Sequence, residues 1–205
     1  MAPVRLARDY VGRDGAPVIH AIDPAIFSVR YFMRCMACGF CNDQCCDHGV
    51  DIDVGNARRL RELGPDFQAR LAVPSAQWFT SDVTRDSEFP SGAHVRTQVR
   101  NGKCVFISQS GRGCTIHAYC LEKGIDYHTL KPMISALFPV TFEAGVLIPS
   151  AEAMDGTLLC SGEGVTLYEG VRGELEYYFG SGFVTELDAL NVASEPGPRP
   201  STSSG

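Results

Sequence analysis

No stretch of this 205-residue chain approaches the roughly 18 consecutive apolar residues that a bilayer-spanning helix needs, so no membrane segment is expected. Basic charge is also short. Eighteen Lys and Arg against 24 Asp and Glu leave a net charge of −6. Without a basic stripe to neutralise phosphates, nucleic-acid binding is not expected, and the same acidity disfavours docking on an anionic membrane. The N-terminal MAPVRLARDYVGRDG carries charges where an export signal needs an apolar core, so no signal is read and a cytoplasmic location is expected. Familiar catalytic signatures are missing too: there is no P-loop, no GxGxxG after a strand and no HExxH. A Cys/His pair can always be picked from nine cysteines and five histidines, and nothing local marks one as a nucleophile. Whether the chain is an enzyme is left open, with no catalytic residue named.

What the chain does have is cysteine, and five of the nine lie between Cys35 and Cys46. An odd total fits poorly with a fully paired disulfide framework, and in a reducing compartment such density points to metal binding or redox chemistry. The first cluster reads Cys35-x2-Cys38-x2-Cys41-x3-Cys45, with Cys46 directly after. Two intervening residues let successive thiolates converge on one centre, and Gly39 eases the backbone turn. Thiolates are soft ligands that suit iron–sulfur clusters and zinc and disfavour calcium or magnesium. The spacing is that of a bacterial ferredoxin run, but the proline that ends such a run is replaced by Cys46, and no second run follows. A second group, Cys104, Cys114 and Cys120, could join the first. One centre would then tie together segments about 60 residues apart, with metal-binding free energy becoming folding free energy.

The remaining pattern predicts an α+β chain: a small, irregular, metal-stapled domain with short helices and a β-hairpin. Residues 1–15 read as a loose arm and Val18 to Ile22 as a strand, while Pro24 to Met33 is ambiguous by periodicity. Asp53 can cap a helix through Leu63, and Pro65 can open another through Ala72. Residues 74–93 read as a long loop, in which the single Trp, Trp78, could serve as an anchor. His94 to Arg100 and Lys103 to Ile107 form a hairpin about Asn101-Gly102. Thr115 to Lys123 reads as a helix stopped by Gly124, and Leu137 to Ile148 as strand broken at Ala144-Gly145. Thr166 and Glu169 have capping-box spacing for a helix through Phe179. A last helix is expected over 183–190. The Pro/Ser/Gly-rich residues 191–205 read as a disordered tail. One cysteine-cluster domain is expected over 1–190, with its metal-binding core at about 35–139.

These motifs resemble the YkgJ-type cysteine-cluster family, described as a zinc- or iron-chelating CxxCxxCC domain. The pieces are Cys38-x2-Cys41-x3-Cys45-Cys46, then His48-Gly49-Val50-Asp51-Ile52-Asp53, Gly102-Lys103-Cys104-Val105-Phe106, Gly113-Cys114-Thr115-Ile116-His117, and Lys131-Pro132 leading to Leu137-Phe138-Pro139. The resemblance implies metal chelation and little more. Some proteins with the motif are flagellin lysine methylases, but no methyl-donor site is suggested here. Two departures stand out: the extra residue before the double cysteine, and Ser135 where the family pattern places a cysteine. Cys120 or Cys160 could replace that ligand, or the centre could use fewer ligands. The expected metal ligands are Cys35, Cys38, Cys41, Cys45, Cys46, Cys104 and Cys114, holding an iron–sulfur cluster, which the ferredoxin-like order slightly favours, or zinc. Three roles compete: a structural or redox metal protein, a metal- or cluster-dependent enzyme modifying a peptide or small molecule, and a metal-handling adaptor for an unidentified protein partner.

Overall fold

The computed structural model describes residues 2–33, 40–109 and 111–194. The fold is α+β, with short helices and small sheets around two hydrophobic cores. The main sheet has the order β1-β2-β10-β9, formed by Val4–Val11, Val18–Ile22, Val146–Pro149 and Val140–Glu143. β2 and β10 run parallel, and the other pairs are antiparallel. The hairpin β9–β10 turns at Ala144-Gly145, where the strand-like sequence breaks.

The first 15 residues are therefore not a loose arm. Leu6 and Tyr10 point into the core while Arg5, Ala7, Arg8, Asp9 and Val11 stay exposed. The charges belong to the outer face of an edge strand, a usual guard against edge-to-edge pairing. The strand is held by the C-terminal helix: Glu186 accepts from the Ala7 amide and the Tyr10 hydroxyl, both at 2.6 Å.

The first core is completed by two helices, α6 (Leu167–Phe179) and α7 (Ser181–Ser194). In α6, Leu167, Val171, Leu175 and Tyr178 recur at helical spacing on one buried stripe. The expected capping box is present, with the Glu169 amide 3.2 Å from Thr166 Oγ1 and the Thr166 amide 2.9 Å from Glu169 Oε2. Gly180, at φ +84°, lets the chain turn directly into α7. That helix begins before and runs beyond the expected 183–190, taking in residues 191–194 that had read as tail. Residues 195–205 lie outside the described residues.

The second core gathers around α1 (Val54–Arg61) and α3 (Thr115–Lys123). Asp53 caps α1, its carboxylate accepting from the amides of Gly55 and Asn56. The helix opened by Pro65, α2, stops at Gln68 rather than Ala72. The 74–93 segment is not structureless. It holds a 3-10 turn at Ser75–Gln77 and strand β5 (Thr84–Arg85), which joins the sheet of β4 (Asp51–Asp53) and β6 (Ala93–Arg96). Trp78 anchors it, fully buried in edge contact with Phe67 and Phe106, its indole N–H donating to the Val73 carbonyl at 3.0 Å. The expected hairpin is shorter than the sequence pattern: β7 (Val99–Arg100) and β8 (Lys103–Cys104) meet across Asn101-Gly102, both at positive φ.

Candidate metal centre

Cys35 and Cys38 lie outside the described residues. The other five expected ligands can be placed, and the fold divides them. Cys41 is buried in the first core and Cys45 packs against it, whereas Cys104 is buried in the second core with Cys46 and Cys114 against it. The partition falls between Cys45 and Cys46, whose sulfurs are 4.0 Å apart. That spacing is close to the roughly 3.8 Å edge of a thiolate tetrahedron with metal–sulfur bonds of about 2.3 Å.

The loop carrying these cysteines is pinned by cations from the hairpin region. Lys103 donates to the Asn42 carbonyl at 2.9 Å and pairs with Asp47. Arg112 pairs with Asp43 at 3.0 Å, and the same guanidinium nitrogen lies 3.5 Å from the Cys41 sulfur. Asn42 and Asp43 both adopt positive φ, a strained turn that these contacts hold in place. Gly49 ends the loop at φ +68°, where a Cβ would lie 2.7 Å from the Thr97 carbonyl oxygen. Only glycine fits that approach.

Each core adds a cysteine that the expected ligand set omits. Cys160 lines, with Cys41 and Cys45, a small cavity of about 10 Å³, on the order of one water-sized probe. Cys120 is fully buried on α3 in the core that holds Cys104, with Cys46 and Cys114 packed against it. Ser135, where the family pattern places a cysteine, lies in the short helix α4 (Met133–Leu137). No spacing rule connects Cys160 to Cys41, because their proximity comes from β3 (Arg30–Tyr31) pairing with residues 161 and 165–166.

Charge and burial shape this thiol group. Contact with Cys46 lowers the Cys45 pKa, against burial and the nearby carboxylates of Asp43 and Asp47. The Cys46 thiol is pushed far up, first by its contact with Cys45, then by burial and by Cys114 and Cys104. Burial raises Cys114, opposed by the backbone amides of His117 and Ile116 and by the Lys131 charge. Those two amides belong to the first turn of α3, which Cys114 directly precedes and where the helix favours negative charge. Burial, helped by Cys114 and Asp126, pushes Cys120 up to about 11. Cys104 donates to Thr97 Oγ1 at 3.5 Å.

His48 and His117 make other contacts among the described residues. His48 follows the loop and lends its backbone carbonyl to Arg96 at 3.0 Å. His117 packs against Tyr127 in a tilted arrangement with ring centroids 4.5 Å apart, its Nδ1 buried without a hydrogen-bond partner and its pKa lowered by burial and by Lys131. Asp51 pairs with Arg96.

Soft sulfur donors in a low-dielectric setting suit zinc or an iron–sulfur cluster. Among the described residues, no three His, Cys, Asp or Glu side chains already stand in an ion-holding arrangement. No described helix is long and apolar enough to cross a membrane. No protein-family model, no curated protein and no solved structure matches the chain.

Proposed function

We propose that the chain binds a metal centre, an iron–sulfur cluster or zinc, through its cysteines and uses it to join the two cores, in a structural or redox role inside the reducing cytoplasm. The observation carrying this reading is the convergence of Cys46, Cys104 and Cys114 from segments distant in sequence onto one core, with Cys45 against Cys46. Burial holds the Cys114 thiol up, and Cys46 is pushed up by its contact with Cys45, by burial and by Cys114 and Cys104. A soft cation relieves that cost by neutralising the sulfurs together, and its binding energy then adds to folding. Cys35 and Cys38 would complete the ligand set from the preceding turn, and Cys160 is the substitute the fold offers beside Cys41 and Cys45. The resemblance to YkgJ-type proteins rests on the order of the motifs alone.

A metal-dependent enzyme is the second reading. It is favoured by a cleft whose wall residue Lys131 is close enough for its charge to act on Cys114.

The deciding experiment is anaerobic purification with metal and sulfide analysis and a visible spectrum. Iron with matching sulfide and a broad visible band supports a cluster, and tightly held zinc without a band supports a structural ion. A protein that folds fully and carries neither would sink the proposal.

A further inference from the structure

Between the two cores lies a cleft of about 560 Å³, within the size range of small-molecule sites. Its walls carry charges of both signs, but the two signs are engaged differently. Asp53 accepts from Gly55, Asn56 and both the amide and hydroxyl of Ser91. Glu88 accepts from the amides of Ala144 and Gly145, at 2.9 and 2.8 Å. Asp51 is paired with Arg96 at 2.9 Å. These carboxylates are spent on the fold. Asp14, at the exposed rim, is the remaining one.

The cations are not spent in that way. Arg13 lies over the Tyr177 ring at 4.4 Å, and the Lys131 ammonium is 5.7 Å from the Tyr127 centroid. Arg59 donates only to the neutral oxygens of Thr129 and Asn56. None of the three has a carboxylate partner among the described residues, whereas Arg70, Arg112, Lys123 and Arg172 all do. In a chain of net charge −6, three such cations on one cavity mark it as a place for a negative ligand.

The wall between them is aromatic. Tyr177 stacks on His128 with centroids 3.6 Å apart and planes within 11°. That imidazole is held between Asp126 at 2.5 Å and Glu174 at 2.8 Å, so the platform is fixed. Phe89 and Phe142 also line the cleft. Tyr178 lines it too, 4% exposed, and its hydroxyl is buried with no hydrogen-bond partner. A buried hydroxyl without a partner carries a desolvation cost that a ligand acceptor would relieve.

We propose that this cleft binds a small oxyanion carried on a flat apolar body, an aromatic carboxylate or an aryl phosphate. Arg13, held over Tyr177, and Lys131 hold the anion, Phe89 and Phe142 face the apolar body, and Tyr178 donates its hydroxyl. The site stands on these residues alone and does not depend on the metal reading.

The test is isothermal titration of the full chain with phenyl phosphate, benzoate and, as a cationic control, benzylamine. Saturable binding of at least one anion is expected, phosphate over carboxylate or the reverse identifying the headgroup, with benzylamine at least about tenfold weaker. Arg13→Gln and Lys131→Gln should each weaken binding about tenfold, as expected for loss of a charge-assisted contact. Tyr178→Phe should weaken it several-fold without lowering the melting temperature, since no hydrogen bond within the protein is lost. No saturable heat with either anion, equal binding of benzylamine, or wild-type affinity in a folded Arg13→Gln variant would overturn the proposal. Arg13 is exposed at the rim, so that variant is available even if Lys131→Gln folds poorly.

Discussion

Cys45 and Cys46 are adjacent in the chain with sulfurs 4.0 Å apart, yet one packs on the first core and the other on the second. The double cysteine is thus a seam between two hydrophobic bodies. A metal bound by both sulfurs, as proposed, would therefore tie the two cores together.

Substituting a seam sulfur should therefore cost both metal and stability. Cys46→Ser is expected to purify with less bound metal than the wild type and to melt at a lower temperature. Cys120→Ser, in the same core but outside the expected ligand set, should lose little metal. Metal analysis of both variants checks this, and equal metal content in Cys46→Ser and the wild type would remove Cys46 from the ligand set.

The cysteine loop should loosen when its cationic pins are removed. Lys103→Met abolishes the contacts to Asn42 and Asp47 while leaving every cysteine in place. The lost pair is partly exposed, so the global cost should be about 1 kcal/mol or less. The local effect should be larger: faster loss of bound metal to a chelator, followed spectroscopically. An unchanged loss rate would mean that the loop is held by its other contacts.

Helix α6 begins on a capping box that can be tested alone. Thr166→Ala removes the hydroxyl that accepts from the Glu169 amide and should destabilise the chain by about 1 kcal/mol. At this size that corresponds to a fall of roughly 2–4 °C in the melting temperature. A melting curve superimposable on the wild type would show that Glu169 alone holds the helix start.

Acid sensitivity should reside partly in the pair between α6 and α7. Arg172 first, and then the Tyr168 hydroxyl, lower the Asp188 carboxyl from 3.8 to about 2. A depressed carboxyl contributes stability that is fully present above its unfolded value and is lost as pH falls toward its folded value. Stability should thus decline between about pH 4 and pH 2, and Asp188→Asn should flatten that part of the profile. Chemical denaturation across this window measures it, and an identical slope in the variant would assign the acid sensitivity elsewhere.

Trp78 offers a probe of the second core. Because it is fully buried against Phe67 and Phe106, its fluorescence should shift to longer wavelength on unfolding, and Trp78→Ala should cost roughly 3–5 kcal/mol. A cost under about 1 kcal/mol would mean that the core closes over the gap.

Much of the local structure was legible in the sequence because it is set by short-range rules. Gly124 stops α3 in the left-handed conformation, the capping box starts α6, and Asn101-Gly102 closes its hairpin. β1 was not legible, because only Leu6 and Tyr10 of its central residues are buried and its charges resemble those of a solvated arm. The full length of α7 was missed for a related reason: its early buried residues are Phe183, Val184 and Leu187, and residues 191–194 run straight into the Pro/Ser/Gly-rich sequence that follows.

The sequence by itself determined that this protein carries a dense set of thiol side chains, an α+β pattern and no run of about 18 apolar residues, because composition and short spacings specify those things directly. Only the tertiary structure decided which cysteines share a core, that Cys160 meets Cys41 and Cys45, and that Arg13, Lys131 and Tyr178 face one cleft. Cys160 is more than 100 residues from Cys41 and Cys45, and Arg13, Lys131 and Tyr178 are each more than 40 residues from one another. Their contacts are fixed by how strands pair and helices pack, and no local spacing encodes that.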